Sequence, residues 1–215
     1  MRSFRQLTLG IAAASALVAT PALAQTAAAP ARSAAASAAT ATTYQIDPVH
    51  SELSFRIRHL LGRVAGTFGE WNGTIVMDTV TPANSKVDVT VRTASIDTRV
   101  KQRDDHLRSP DFFAADSFPT ISFRSTKVVK QGKALKVYGD LTIRGRTKPV
   151  VLAGAYNGQF KDAYGATRTA FTASTTVNRN DFGVAWNKAV ETGAMLGDDV
   201  TIDIAVEAVQ QQAKP

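Results

Sequence analysis

A chain of 215 residues without a single cysteine has no disulfide, no thiol nucleophile and no thiolate metal ligand to draw on. Its stability has to come from one sizeable apolar core, which a hydrophobic content of 44% can supply. The formal charge of +7 is modest and its basic residues are spread along the sequence, which argues against a nucleic-acid partner.

Arg2 and Arg5 precede an apolar run from Leu7 to Ala19, and Ala22-Leu23-Ala24 forms a small-residue cleavage site. The run is too short to span a bilayer, and no second one follows. Residues 1–24 therefore read as a signal peptide cleaved after Ala24, and the protein as exported to a bacterial periplasm. Residues 25–42 are nearly all Ala, Thr, Ser and Pro and carry no periodic apolar face, so they read as an Ala-rich disordered tether. The folded domain is expected over residues 43–209, with residues 210–215 as a C-terminal tail.

From Tyr44 onward the pattern alternates with period two. Leu53, Phe55, Ile57 and His59 share one face, while Glu52, Ser54, Arg56 and Arg58 share the other. Val64, Gly66 and Phe68 keep one phase, and Trp71, Gly73, Ile75 and Met77 take the opposite one. The switch near Gly69 points to a bulge or bend. Asn72-Gly73 reads locally as a hairpin turn, which conflicts with a long strand there. Further tracts run through Val87–Val91, Ile121–Phe123, Leu135–Ile143, Val150–Tyr156, Phe171–Val177 and Val200–Val206. Eight to ten half-buried strands joined by short turns predict an antiparallel sandwich or barrel. Gly66, Gly73, Gly139, Gly145 and Ala173 interrupt the apolar faces. They mark either room for a ligand or bulges and corners. On the alternation Phe55, Ile57, Phe68, Ile75, Phe123, Leu141, Ile143 and Phe171 face inward, and Arg144 faces out.

One stretch does not alternate. Between Thr98 and Ala114 the chain reads as short helical turns, with Thr98 as a candidate cap and Ser109-Pro110 opening a second turn. Phe112, Phe113 and Phe118 sit where a loop would be polar, so this segment is expected to plug one end of the β-structure.

Candidate chemistry is sparse. Three histidines, His50, His59 and His106, with Asp47, Asp104 and Asp105 match no metal-ligand spacing, and no metal site is expected. Asp47, His50 and Ser51 have the residue types of a hydrolytic triad but no nucleophile elbow.

The ordered set of short motifs resembles the YceI family. It comprises Tyr44-Gln-Ile-Asp-Pro-Val-His-Ser51, Gly66-Thr-Phe68, Arg103-Asp-Asp-His-Leu-Arg-Ser-Pro-Asp-Phe-Phe113, Gly139-Asp-Leu-Thr-Ile-Arg-Gly145 and Asn180-Asp-Phe-Gly183 with Trp186. The match runs from about Tyr44 to Ala208. The resemblance implies an all-β fold: an extended, antiparallel, lipocalin-like β-barrel of about eight strands with a short helical plug over about 98–114. It also implies an apolar tunnel that holds a long isoprenoid or similar amphiphilic lipid, with no catalytic residue set and no cofactor. The expected lining comprises the eight inward residues together with His59, Leu107, Phe112, Phe113, Phe182 and Trp186. Transient membrane contact and a homodimer are compatible with this reading. The competing class is an enzyme or redox accessory acting on a lipid such as a quinone.

Overall fold

The computed structural model describes residues 41–190 and 193–212, and there the alternating tracts become strands that follow one another around a ring. The signal peptide and nearly all of the expected tether lie outside the described residues. β1 (Ala41–Ile46) and β2 (Glu52–His59) form one line, broken by a 3-10 turn at Pro48–His50. β3 (Gly62–Phe68) and β4 (Trp71–Asp78) form the next, and β5 (Lys86–Arg92) with the short β6 (Ile96–Asp97) forms the third. β7 (Thr120–Gln131), β8 (Ala134–Ile143), β9 (Arg146–Lys161) and β10 (Thr167–Asn178) follow. A small hairpin of β11 (Ala189–Val190) and β12 (Gly193–Ala194) then precedes β13 (Leu196–Gln210).

Each line pairs antiparallel with the next, and β13 returns to both β1 and β2. The result is a closed eight-stranded antiparallel barrel in which every strand line has a neighbour on each side. α1 (Lys101–Arg108) is the one short α-helix among the described residues. The strand β1 starts at Ala41, two residues inside the stretch read as tether, and β13 reaches Gln210.

The breaks in the first two lines have local causes. Pro48 has no N–H for the ladder, and the Asp47 side chain accepts the Val49 N–H at 3.0 Å to start the 3-10 turn. At Gly69 the phase change is a real bend: Gly69 N–H turns to the Ser95 carbonyl and Arg92 N–H to Glu70. Asn72-Gly73 is not a turn. Both residues stay in β4, opposite Thr90 and Val89, because two flanking strands fix the register that the local signal leaves open.

Two expectations about β8 are overturned. Arg144 and Gly145 have φ of 50° and 70° and form the two-residue turn into β9, so Gly145 is not on an inward face and Arg144 is not an outward strand residue. The wall glycines Gly66 and Gly139 do not leave holes either. The ring of Phe55 lies over Gly66 and that of Phe123 over Gly139, each so close that an added Cβ would overlap it. The missing side chains let the rings sit directly against the wall.

Outside the barrel, a charged knot holds the broken first line to β10 and β13. Arg168 Nη1 donates to Asp47 at 2.9 Å and to Glu207 at 2.6 Å, and its Nε donates to Asp162 at 2.9 Å. His50 and then Arg168, both bonded to Asp47, hold its carboxyl down at about 2. A depressed carboxyl stabilises the fold fully above its unfolded value of about 4 and loses that contribution as pH falls toward 2. Asp47→Asn should therefore cost on the order of 1–2 kcal/mol at neutral pH, and the deficit should shrink steadily below about pH 4. Urea unfolding of both proteins at several pH values measures this.

Candidate functional site: the barrel cavity

The plug begins with a polar lock. Asp104, buried on α1, accepts hydrogen bonds from both the backbone N–H and the hydroxyl of Thr98. Thr98 is thus a donor to the helix rather than its cap; the N-cap position is Val100, without a side-chain bond. Arg103 donates to the Thr98 hydroxyl and carbonyl at 2.7 and 2.8 Å. Arg108 reaches back to the carbonyls of Ala94 and Ile96, both at 2.7 Å. Past the helix, Ser109 to Phe113 form a turn in which Phe112 N–H and Ala114 N–H both bond the Ser109 carbonyl.

Arg144 joins this plug to the opposite side of the barrel end. Its guanidinium donates to the carbonyls of Pro110, Phe112 and Gly183 at 2.8, 2.8 and 2.7 Å. Arg179, only 5% exposed, performs the same office for the next loop, donating to the carbonyls of Gly197, Val184 and Trp186. Burial pulls the Arg179 pKa down, and the nearby Asp198 opposes that. Two aromatic groups complete the closure. His106, Phe112 and Trp186 meet with ring centroids 5.0–5.1 Å apart, and Phe113 packs edge-on against Phe68, which touches Phe55.

Below the plug lies a cavity of about 450 Å³. All fourteen residues expected at the lining border it: Phe55, Ile57, His59, Phe68, Ile75, Leu107, Phe112, Phe113, Phe123, Leu141, Ile143, Phe171, Phe182 and Trp186. Met77, Val137, Leu152 and Val206 border it as well, and the same alternation would have found them. Polar groups gather at its two ends. Arg103, His106 and His59 stand at the plug end, and Asp78, Ser85 and Lys130 at the other. Nothing in the sequence marks Arg179, Asp78 or Lys130 as cavity residues, because a single charged side chain carries no period.

The chain belongs to the YceI family. The family model for the YceI-like domain matches residues 44–208. Protein YceI of Escherichia coli O157:H7 is 39% identical over 177 residues, 81% of this chain and 90% of that protein. The crystal structure of the Campylobacter jejuni YceI protein superposes with a TM-score of 0.64 at 33% identity, covering 72% of this chain and 90% of its own. A polyisoprenoid binding domain from Saccharophagus degradans, implicated in plant cell wall breakdown, shares the fold with a TM-score of 0.56 at 12% identity, over 79% and 99%. In this YceI-like barrel two of the motifs that carried the resemblance work together. The run from Arg103 to Phe113 builds the plug, and Gly139 to Gly145 builds the strand and turn that Arg144 uses to hold it.

The residues of the hydrolytic pattern do not assemble. His50 Nδ1 lies 2.8 Å from Asp47, but the Ser51 hydroxyl donates to the Glu207 carbonyl and accepts the Glu207 N–H. The side chains of Asp47, His50 and Glu207 do converge to within 4.8 Å. Arg168 already bonds both carboxylates, so a cation would have to displace a guanidinium. His59 and His106 are at the cavity and do not join this group.

Arg144→Ala removes three charge-assisted bonds from the plug and should lower stability by about 2–4 kcal/mol. Phe112→Ala, at a side chain 6% exposed, should lower it by about 3–5 kcal/mol. Urea midpoints at constant m-value read both.

Proposed function

We propose that this protein is an exported carrier that holds a long-chain isoprenoid, or a similar amphiphilic lipid, in the barrel cavity. The observation that carries the reading is a cavity of about 450 Å³ walled mainly by aliphatic and aromatic side chains, with a few serines and threonines along the wall and its charged side chains toward the ends. That volume is in the range of small-molecule sites, roughly 300–1,000 Å³. Each methylene placed there would gain about 0.8 kcal/mol, offset by the cost of immobilising the chain. Such a site selects for slimness and length, with headgroup contacts confined to the ends. The likeness of the barrel to a polyisoprenoid binding domain supports an extended isoprenoid chain over a compact, bulky ligand.

Export to the periplasm rests on the leader pattern of residues 1–24. Protein recovered from a periplasmic fraction should have an intact mass that starts at Gln25. A mass that retains residues 1–24 would remove the export half of the reading.

A second reading, an enzyme or redox accessory acting on a quinone-like lipid, draws on Arg103 and His106 at the plug end of the cavity. Turnover of the extracted lipid by the purified protein distinguishes it from a carrier.

Ile143→Trp should block the lumen and exclude lipid, whereas Asp140→Ala, an exposed residue of the same strand, should leave occupancy unchanged. Native mass spectrometry of the two variants, purified alike, reads the bound mass. A folded Trp variant with full occupancy would sink the cavity as the binding site.

A further inference from the structure

The basic residues that are dispersed in sequence are gathered in space. Lys127, Lys130, Lys133 and Lys136 lie on the hairpin of β7 and β8, at the barrel end opposite the plug. Lys86 at the start of β5 and Lys161 at the end of β9 stand at the same rim. All six are exposed, and among the described residues no carboxylate bridges any of them. The rim's own carboxylates are turned onto loop backbone. Asp78 accepts the N–H groups of Val80 and Thr81, and Asp162 accepts those of Tyr164 and Ala166 and bonds Arg168. At the plug end many cations are already engaged: Lys101 and Arg108 meet Asp105, Arg92 meets Glu70, and Arg144 and Arg179 are spent on carbonyls, while Arg63, Arg99 and Lys188 are exposed without a bridging acid among the described residues.

Two loops at the lysine rim hold apolar groups out into solvent, Val80 at 73% exposure and Tyr164 at 97%. The cavity also reaches the surface here. Thr79 and Lys130 line it and are exposed, and the Lys130 ammonium sits 4.9 Å over the ring of Tyr156, another lining residue. Free positive charge, protruding apolar side chains and the mouth of an apolar cavity therefore share one end of the barrel.

We propose that this rim docks the protein on an anionic phospholipid bilayer, with Val80 and Tyr164 entering the interface and the cavity mouth facing the lipid. The inference rests on the cavity being a lipid site, and it supplies the route by which the lipid enters. Unpaired lysines are attracted to the surface potential of anionic lipids, and a tyrosine is suited to the polar–apolar boundary. Six like charges would repel a second copy of the same face.

The test is co-sedimentation of the whole protein with vesicles of phosphatidylcholine alone or with about 30 mol% phosphatidylglycerol, at low and high salt. Wild type should bind only the anionic vesicles, and added salt should release it. A basic residue near such a surface contributes about fivefold in affinity, so Lys127→Glu/Lys133→Glu/Lys136→Glu should bind at least about 100-fold more weakly. Arg63→Glu/Arg99→Glu/Lys188→Glu makes the same charge change at the plug end, beyond a Debye length from the rim, and should bind within about twofold of wild type. Tyr164→Ser should weaken binding without altering its salt dependence. Equal losses in the two triple variants, or no preference of wild type for phosphatidylglycerol, would overturn the proposal. Cavity occupancy by native mass spectrometry keeps the two readings apart. A lysine variant that stays in the supernatant yet takes up lipid supplied in detergent as wild type does supports docking, and one that cannot be loaded even from detergent overturns it. An empty wild type that still sediments would overturn the cavity reading and support this one.

Discussion

An irregular segment driven into the end of a β-barrel brings carbonyl oxygens that the strand ladder cannot satisfy, and each one buried without a donor would cost several kcal/mol. Arginine meets that constraint here. Arg108, Arg144 and Arg179 each donate to two or three backbone carbonyls, and Arg103 to Thr98. The fork of a guanidinium serves two acceptors at fixed spacing, which a lysine ammonium does not. No buried side-chain polar atom is left without a partner among the described residues. Remove these bonds and the plug has no backbone reason to stay where its aromatics need it.

The plug matters because of what it leaves empty. Phe55 and Phe123 sit against Gly66 and Gly139, close to the wall, and the plug rings of Phe112 and Phe113 cover one end. The centre is left as an apolar space rather than filled. Interiors are normally packed to crystal density, so a retained space of this size in a barrel that closes tightly everywhere else has to be held open by its wall. Each strand line has a neighbour on both sides, which stiffens the wall, although β9 pairs with β10 only from Ala153 onward and β7 with β5 only as far as Arg124.

Charge is divided between the two ends by use. At the plug the buried and half-buried arginines are structural, spent on carbonyls or met by local acids. On the outside of the barrel Arg168 ties three carboxylates together across β1, β10 and β13, and that is the reason Asp47, His50 and Glu207 converge without forming a vacant ligand cage. At the far rim the lysines are unpaired. The same residue type count would give a different molecule if these roles were exchanged.

Alternation alone determined much of this protein. Period-two tracts specify strands, and the inward sides of those strands specify the eight residues that the lining was read from, since a strand's side chains have only two directions to take. The aromatics at Phe112 and Phe113 specify a buried plug because a polar loop has no use for them. Tertiary structure decided the rest. Asn72-Gly73 remains in a strand because β1 and β5 flank it, and Arg144 sits in a turn because β8 and β9 must cross over there. Asp104 and Thr98 exchange the roles of cap and capped, since the helix N-cap is Val100, two residues past the threonine. Lys127 to Lys136, Lys86 and Lys161 become one rim only when the barrel closes. Each of these depends on pairings between residues far apart in the chain, and a local pattern carries no record of its distant partner.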